Sequence, residues 1–301
     1  MSISVHNLTK YYGEQKAVND ISFEVQSGEI VAFIGPNGAG KSTTMKIITG
    51  YIADFEGTVQ VNGLDVRTQA LDVKKIIGYL PEHNPLYLEM YVREYLEFML
   101  RAYEIPPPFT LTIDAVIEQT GLQQEQHKKI GALSKGYRQR VGLAAVLIHN
   151  PKVLILDEPT TGLDPNQIIE IRNLIAEVGK ERTILLSTHI MQEVEAICNR
   201  VIIINNGSIV ANDHAAGIKQ SAAKPPLLVE FLEATSLADL QTISGAGVVM
   251  HISDNRWLIQ AAGNDDIRKH IFNFAVQHSL TVLSMHEQEK TLEEVFQQLT
   301  K

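Results

Sequence analysis

Three short runs in this chain carry residue types that handle phosphate. Gly35, Pro36, Asn37, Gly38, Ala39, Gly40, Lys41 and Ser42 stand in order, the spacing G-x-x-x-x-G-K-[ST] of a phosphate-wrapping loop. The glycines let the backbone follow an anion with no Cβ in the way. Free N–H groups and the start of the next helix then face the charge. Lys41 brings a cation to the β- and γ-phosphates, and the Ser42 hydroxyl is a ligand for Mg²⁺. Leu154 to Glu158 is an apolar run that ends in two carboxylates. Asp157 at a strand end suits a direct or outer-sphere Mg²⁺ contact, and Glu158 one step on is placed to orient or deprotonate an attacking water. Ser134, Lys135 and Gly136 precede a helical run from Val141 to Ile148, a second helix N-terminus offering donors to an anion. His189, just after a strand, can bring an imidazole to a γ-phosphate, although a lone His is more often structural.

These residues need elements to hold them. Strand-like segments run from Ile3 to Leu8, Ala17 to Val25 and Glu29 to Ile34, the last leading into the phosphate loop. Ser42 to Thr49 reads as the helix behind the loop, ended by Gly50. Gly57 to Gly63 and Ile76 to Leu80 are again strand-like. Val92 through about Gly121 is helical, broken at Pro106, Pro107 and Pro108. Lys152 to Asp157 is a continuous apolar run, as in a strand buried on both faces of a parallel sheet. Asp164 and Pro165 have the form of an N-cap followed by proline at the first helical position. Ile171, Leu174, Ile175 and Val178 then share a face, with Gly179 as the expected C-cap. Arg182 to Ser187 and Arg200 to Asn205 are further strands, and the alternation predicts an α/β fold with parallel strands.

Beyond a linker at 221–226 the pattern changes. Strand (Leu227–Leu232), helix (Leu237–Ile243), two strands (Gly247–Ile252, Arg256–Ala261), helix (Asp265–His278) and strand (Leu280–Glu287) follow, then a last helix from Thr291 to Leu299. This β-α-β-β-α-β order predicts a small ferredoxin-like α+β domain over 227–301. Nothing in it carries chemistry, and Trp257 reads as core.

The chain has 301 residues, 45% hydrophobic, and a formal net charge of −9, a balance that disfavours a nucleic-acid partner. A single cysteine, Cys198, excludes an intrachain disulfide and reads as a small buried hydrophobe. The first ten residues lack the basic and apolar regions of a signal peptide, and no apolar run reaches the roughly 18 residues of a membrane span. His127, Lys128 and Lys129 read as a solvated loop.

The order of motifs is specific. A phosphate loop, Leu133-Ser134-Lys135-Gly136 before a helix, Asp157-Glu158-Pro159-Thr160 running on to Gly162-Leu163-Asp164-Pro165, then Ser187-Thr188-His189, resembles the nucleotide-binding subunit of an ATP-binding cassette (ABC) transporter over about residues 2–220. The resemblance implies a P-loop ABC cassette at 1–220: a mainly parallel core, an antiparallel β subdomain and a helical subdomain near 85–150. It implies that Tyr12, rather than Tyr11, stacks on adenine and that Gly35 to Thr43 hold the phosphates of ATP. Ser42, Asp157 and Glu82 would serve Mg²⁺, Glu158 would be the general base, and His189 would sense the γ-phosphate beside Lys41. Asp164 would communicate across a homodimer. Ser134, Lys135 and Gly136 would face ATP bound to the opposite subunit. The implied partner is a membrane permease, which would hold this cytoplasmic subunit on the inner face of the cell membrane.

Two positions depart from the family pattern. Tyr137 stands where the signature has glutamine, and Glu82 stands where a glutamine near Mg²⁺ is usual; a carboxylate can meet the cation but cannot donate as an amide does. Both are common in the ABC-2-type exporter branch, and the trailing domain with its Thr291 to Phe296 ending looks like that branch. Within it, Pro81 to Glu94 resembles the ATP-binding subunits of gliding-motility-associated ABC transporters. Two other readings are a soluble ABC ATPase acting on ribosomes or DNA and a non-hydrolysing ATP switch. The single cassette, short insertion and acidic balance speak against the first, and intact Lys41, Asp157, Glu158 and His189 against the second.

Overall fold

A computed structural model describes residues 1–214, 217–218, 226–263, 265–288 and 291–300. They form two compact units, residues 1–215 with 299–301, and residues 216–298. The expected linker at 221–226 lies outside the described residues except for Pro226.

In the first unit the chain runs β1 (Ile3–Tyr12), β2 (Gln15–Val25), β3 (Ile30–Ile34), α1 (Lys41–Ile48), β4 (Glu56–Val61), β5 (Leu64–Asp65), α2 (Ala70–Ile76) and β6 (Ile77–Leu80). It continues through α3 (Val92–Ala102), α4 (Thr110–Thr120), α5 (Lys135–Leu147), β7 (Val153–Asp157), α6 (Pro165–Gly179), β8 (Thr183–Ser187), α7 (Met191–Ile197), β9 (Arg200–Asn205) and β10 (Ser208–His214). One sheet has the order β10-β9-β3-β8-β7-β6; from β9 to β6 it is parallel, and β10 is its antiparallel edge. A second, antiparallel sheet has the order β2-β1-β4-β5.

Alternate residues of the parallel strands serve two cores. Val153 and Ile155 of β7 join Val5, Phe23 and Val59 of the antiparallel sheet and Met45 of α1. Leu154 and Leu156 point the other way, into a core with Leu96, Ile117, Leu143 and Ile171 from the helices. Burial on both faces is why β7 and β8 read as unbroken apolar runs. The helices α3, α4 and α5 are inserted between β6 and β7, which are neighbours in the sheet.

Two expectations need correction. Gly179 is the last residue of α6 rather than its C-cap, which is Lys180 in a right-handed conformation. Gly179 is needed for close approach, since a Cβ there would stand 2.5 Å from Ile30 Cδ1. The helix behind Ser134 begins at Lys135, six residues before the expected Val141, so Gly136 lies inside it. Helices α2 and α7 and strand β10 were not anticipated at all.

The second unit contains β11 (Leu227–Phe231), α8 (Leu237–Leu240), β12 (Ala246–Ser253), β13 (Arg256–Ala261), α9 (Arg268–Gln277) and β14 (Val282–Glu287), with α10 (Leu292–Thr300) closing the chain. Its sheet has the order β12-β13-β11-β14, antiparallel throughout. Leu227, Val229, Phe231, Trp257 and Ile259 alternate inward to meet Ile271 and Phe274 of α9.

Candidate functional site

Parallel strands β3, β7 and β8 bring their C-terminal ends to one edge of the sheet, where sequence-distant loops meet. Ala17, Asn37, Gly38, Gly40, Lys41, Ser42, Thr43, Glu82, Asp157, Glu158, Thr161 and His189 line a cleft of about 600 Å³ there. Gly38 and Gly40 hold φ of +79° and +108°, left-handed values that favour glycine. At Gly40 a Cβ would lie 2.5 Å from the Ala17 carbonyl, and at Gly35 2.3 Å from that of Ile204. The loop is therefore seated on the backbone of β2 and β9.

Lys41 is 9% exposed, and its ammonium donates to the carbonyls of Gly35 (2.6 Å) and Pro36 (3.1 Å). Burial pulls its pKa down, against the opposing pull of Glu158, Asp157 and Glu82. Asp157, 2% exposed at the end of β7, accepts from Ser187 Oγ at 2.6 Å. That pairing follows from register, because Asp157 and Ser187 are partners across β7 and β8. Ser187 also receives the Glu158 N–H, at 3.1 Å on its carbonyl and 3.2 Å on its hydroxyl.

Glu158 sits at φ +52°, a left-handed conformation that costs a non-glycine residue about 1 kcal/mol or more. The turn carries its carboxylate from the strand into the cleft. Oε2 accepts from Thr161 Oγ1 at 3.2 Å and lies 2.6 Å from His189 Nδ1. A neutral imidazole that donates from Nδ1 to this carboxylate has an unprotonated Nε2, which then donates to a phosphate only as imidazolium.

The other expected residues lie elsewhere. Ser134 is the N-cap of α5, its Oγ accepting from Tyr137 N at 3.4 Å. Asp164 is the N-cap of α6 and accepts from Gln167 N at 3.0 Å. Gly136 and Asp164 line a separate surface pocket with Tyr137, Arg140 and Gln167. A Cβ on Gly136 would meet the Gln167 side chain at 2.6 Å, and one on Gly162 would meet Lys135 Nζ at 2.0 Å, so these motifs touch within one chain. Tyr12 is 51% exposed near the β1–β2 turn, with Lys10 Nζ 5.1 Å from its ring centroid; it does not line the phosphate cleft. Lys10 is itself buried and bonded to Asp54 at 2.8 Å.

The residues that sequence reasoning missed are Ser187, Thr161 and Thr188. The Ser187-Thr188-His189 triplet pointed toward two of them, and Thr161 only stood before Gly162-Leu163-Asp164 in the acidic motif. The donor set of Ser42, Asp157 and Glu82 consists of hard oxygens, which fits Mg²⁺, an ion that takes one or two carboxylates beside phosphate oxygens and water.

A parallel sheet whose edge joins a phosphate loop to an acidic strand end defines a phosphate-loop nucleotide-binding domain. A family model described as ABC transporter matches residues 18–161. The bacitracin transport ATP-binding protein BcrA of Bacillus licheniformis is 40% identical over 210 residues, covering 69% of this chain and 68% of that protein. The linearmycin resistance ATP-binding protein LnrL of Bacillus subtilis is 30% identical over 306 aligned positions, covering 99% of this chain and 98% of that protein. A solved structure described as an ATP binding subunit of an ABC transporter matches with TM-score 0.67 at 31% identity, covering 73% of this chain and 92% of that one. The chain belongs to the ATP-binding proteins of ABC transporters.

Proposed function

We propose that this protein hydrolyses ATP to ADP and phosphate as a homodimer and drives a separate membrane permease of the ABC-2 exporter type. The observation that carries the reading is Glu158, held on a left-handed backbone at 2.6 Å from His189 in the cleft that also holds Lys41. Lys41, Ser42 and the loop N–H groups bind the phosphates, and bound Mg²⁺ neutralises charge on them. Asp157, Ser42 and Glu82 are the residues that hold the ion. Glu158 takes the proton of the attacking water, and His189 contacts the γ-phosphate. Tyr12 stacks on the base.

Ser134, Lys135 and Gly136 are absent from the cleft lining of their own chain, which supports a head-to-tail pair in which each chain completes the other's site. Asp164 beside them carries the signal between subunits. No helix among the described residues is long and apolar enough to cross a membrane, which fits a peripheral subunit held at the inner face by that partner. The end-to-end match to a linearmycin resistance protein supports the exporter branch and the assignment of 227–301 as an accessory, ferredoxin-like domain after a cassette at 1–220. The Pro81 to Glu94 segment supports a place among gliding-motility exporters.

The test is phosphate release by purified Glu158→Gln. ATP binding is retained and turnover falls by at least about 100-fold, the scale of a lost general base. Turnover near that of the unaltered protein would overturn the assignment. Recovery of a polytopic membrane protein with ATP-held Glu158→Gln from solubilised membranes identifies the permease; recovery of ribosomal or DNA-repair proteins instead refutes the transport role.

A further inference from the structure

Glu193 is a carboxylate with no place in the scheme above, yet it is 2% exposed. Burying a carboxylate costs several kcal/mol unless hydrogen bonds offset it. Its Oε2 accepts from Thr188 Oγ1 at 2.7 Å, with Thr188 fully buried. Oε1 has no hydrogen-bond partner among the described residues. The Thr188 hydroxyl in turn accepts the Ile190 N–H at 3.1 Å. The backbone closes the circuit, with Glu193 N donating to Ile190 O at 3.0 Å. His189 is the residue enclosed by this loop of bonds. On its other side Ser187 is tied to Asp157 and to the Glu158 N–H. Beside the main-chain bonds of Glu193 N and Val194 N to the Ile190 carbonyl, the side-chain hold on the His189 backbone from the α7 side runs through Glu193 and Thr188.

We infer that Glu193 is a positioning residue, acting through Thr188 to fix the backbone that aims the His189 imidazole at Glu158 and the γ-phosphate position. The inference rests on the proposed roles of Glu158 and His189. A carboxylate serves here where an apolar side chain would fill the space at less cost, because only an acceptor polarises the Thr188 hydroxyl and orients its lone pair toward Ile190 N–H. An aim that drifts by an ångström lowers the rate about 100-fold without weakening binding to the phosphate loop.

The experiment measures kcat, nucleotide affinity and melting temperature for Glu193→Asp, Glu193→Gln and the double variant Thr188→Val with Glu193→Leu, beside Glu158→Gln. Glu193→Asp draws the carboxylate back by one methylene, and kcat falls roughly 10- to 100-fold with ATP affinity within about threefold. Glu193→Gln keeps an oxygen for Thr188 and recovers kcat to within about threefold of the unaltered protein. The double variant removes both polar partners, so it stays folded, yet it remains slow because Ile190 N–H has lost its acceptor. A folded double variant or Glu193→Asp with unaltered kcat, while Glu158→Gln is inactive, overturns the inference alone. A fully active Glu158→Gln overturns the hydrolysis scheme and this inference with it. Loss of ATP affinity in parallel with kcat assigns Glu193 to general stability and likewise refutes the positioning role.

Discussion

Ser187→Ala removes one oxygen from the centre of the site. The Ser187 hydroxyl donates to Asp157 Oδ1 at 2.6 Å, with the two residues 0% and 2% exposed. A hydrogen bond to an ionised partner contributes about 1.5–3 kcal/mol, and a carboxylate oxygen left without its donor where water does not reach places the loss in the upper part of that range. The strand pairing survives, because Glu158 N–H keeps the Ser187 carbonyl at 3.1 Å. At about 2–4 °C per kcal/mol for a domain of this size, a loss of about 2–3 kcal/mol lowers the melting temperature by roughly 4–12 °C. If Asp157 meets Mg²⁺, its lost orientation shows separately. About 1 kcal/mol of that loss raises the half-saturating Mg²⁺ concentration for ATP hydrolysis roughly fivefold. Thr183→Val is the control on the same strand. Thr183 Oγ1 is also buried, but its bonds are to Ser2 Oγ (2.8 Å) and Gly28 N (3.0 Å), both neutral and at the far end of β8. It lowers the melting temperature and leaves the Mg²⁺ curve in place. A Ser187→Ala protein with a melting temperature within about 1 °C of the unaltered one and an unchanged Mg²⁺ curve refutes the charge-assisted bond as a determinant of the site.

Gly40→Ala places a Cβ 2.5 Å from the Ala17 carbonyl at φ +108°, and neither backbone segment can give way. Nucleotide binding, read by fluorescent ATP titration, falls below detection while the second unit retains its secondary structure. Cys198 is half-buried rather than fully buried as expected; desolvation and, secondarily, the charge of Glu193 push its thiol up to about 12, so iodoacetamide at pH 8.5 labels it more than about 100-fold more slowly than a free thiol, and at the free-thiol rate once the chain is unfolded. His149, stacked on Tyr103 at 3.7 Å and bonded through Nε2 to the Ile77 carbonyl, is pulled by burial from 6.5 to about 4. The folded value lies below the unfolded one, so the unfolded chain takes up the proton first; this stability is complete above about pH 6.5 and lost as pH falls toward 4, at most about 3 kcal/mol. His149→Gln flattens the slope of unfolding free energy against pH in that window.

Some of this site was legible in the sequence because its constraints are local. The phosphate loop announces itself through glycines that the backbone cannot do without, as the +108° of Gly40 shows. Asp157 was legible because a strand buried on both faces leaves no polar residue until its end. The antiparallel sheet of the second unit alternates openly, one side packed and one side wet. Gly179 misled because glycine after a periodic run signals a C-cap, whereas here its missing side chain makes room for Ile30. The start of α5 misled for a related reason, since Gly136 reads as a helix breaker but lies inside the helix to admit Gln167. Helix α2 was invisible because it buries Val73 alone and so lacks a stripe. Ser187 and Glu193 were illegible for a deeper reason. A serine at a strand end and a glutamate on a short helix beside Glu195 have the composition of solvated positions. What makes them interior is the parallel register of β7 on β8 and the fold of residues 188–193 back on themselves. The phosphate-loop motif is thus written in a local pattern, whereas the bonds of Ser187 to Asp157 and of Glu193 to Thr188 exist only as pairings. The Glu193 substitutions accordingly test aim apart from nucleotide binding, whereas Gly40→Ala within the phosphate loop removes binding itself.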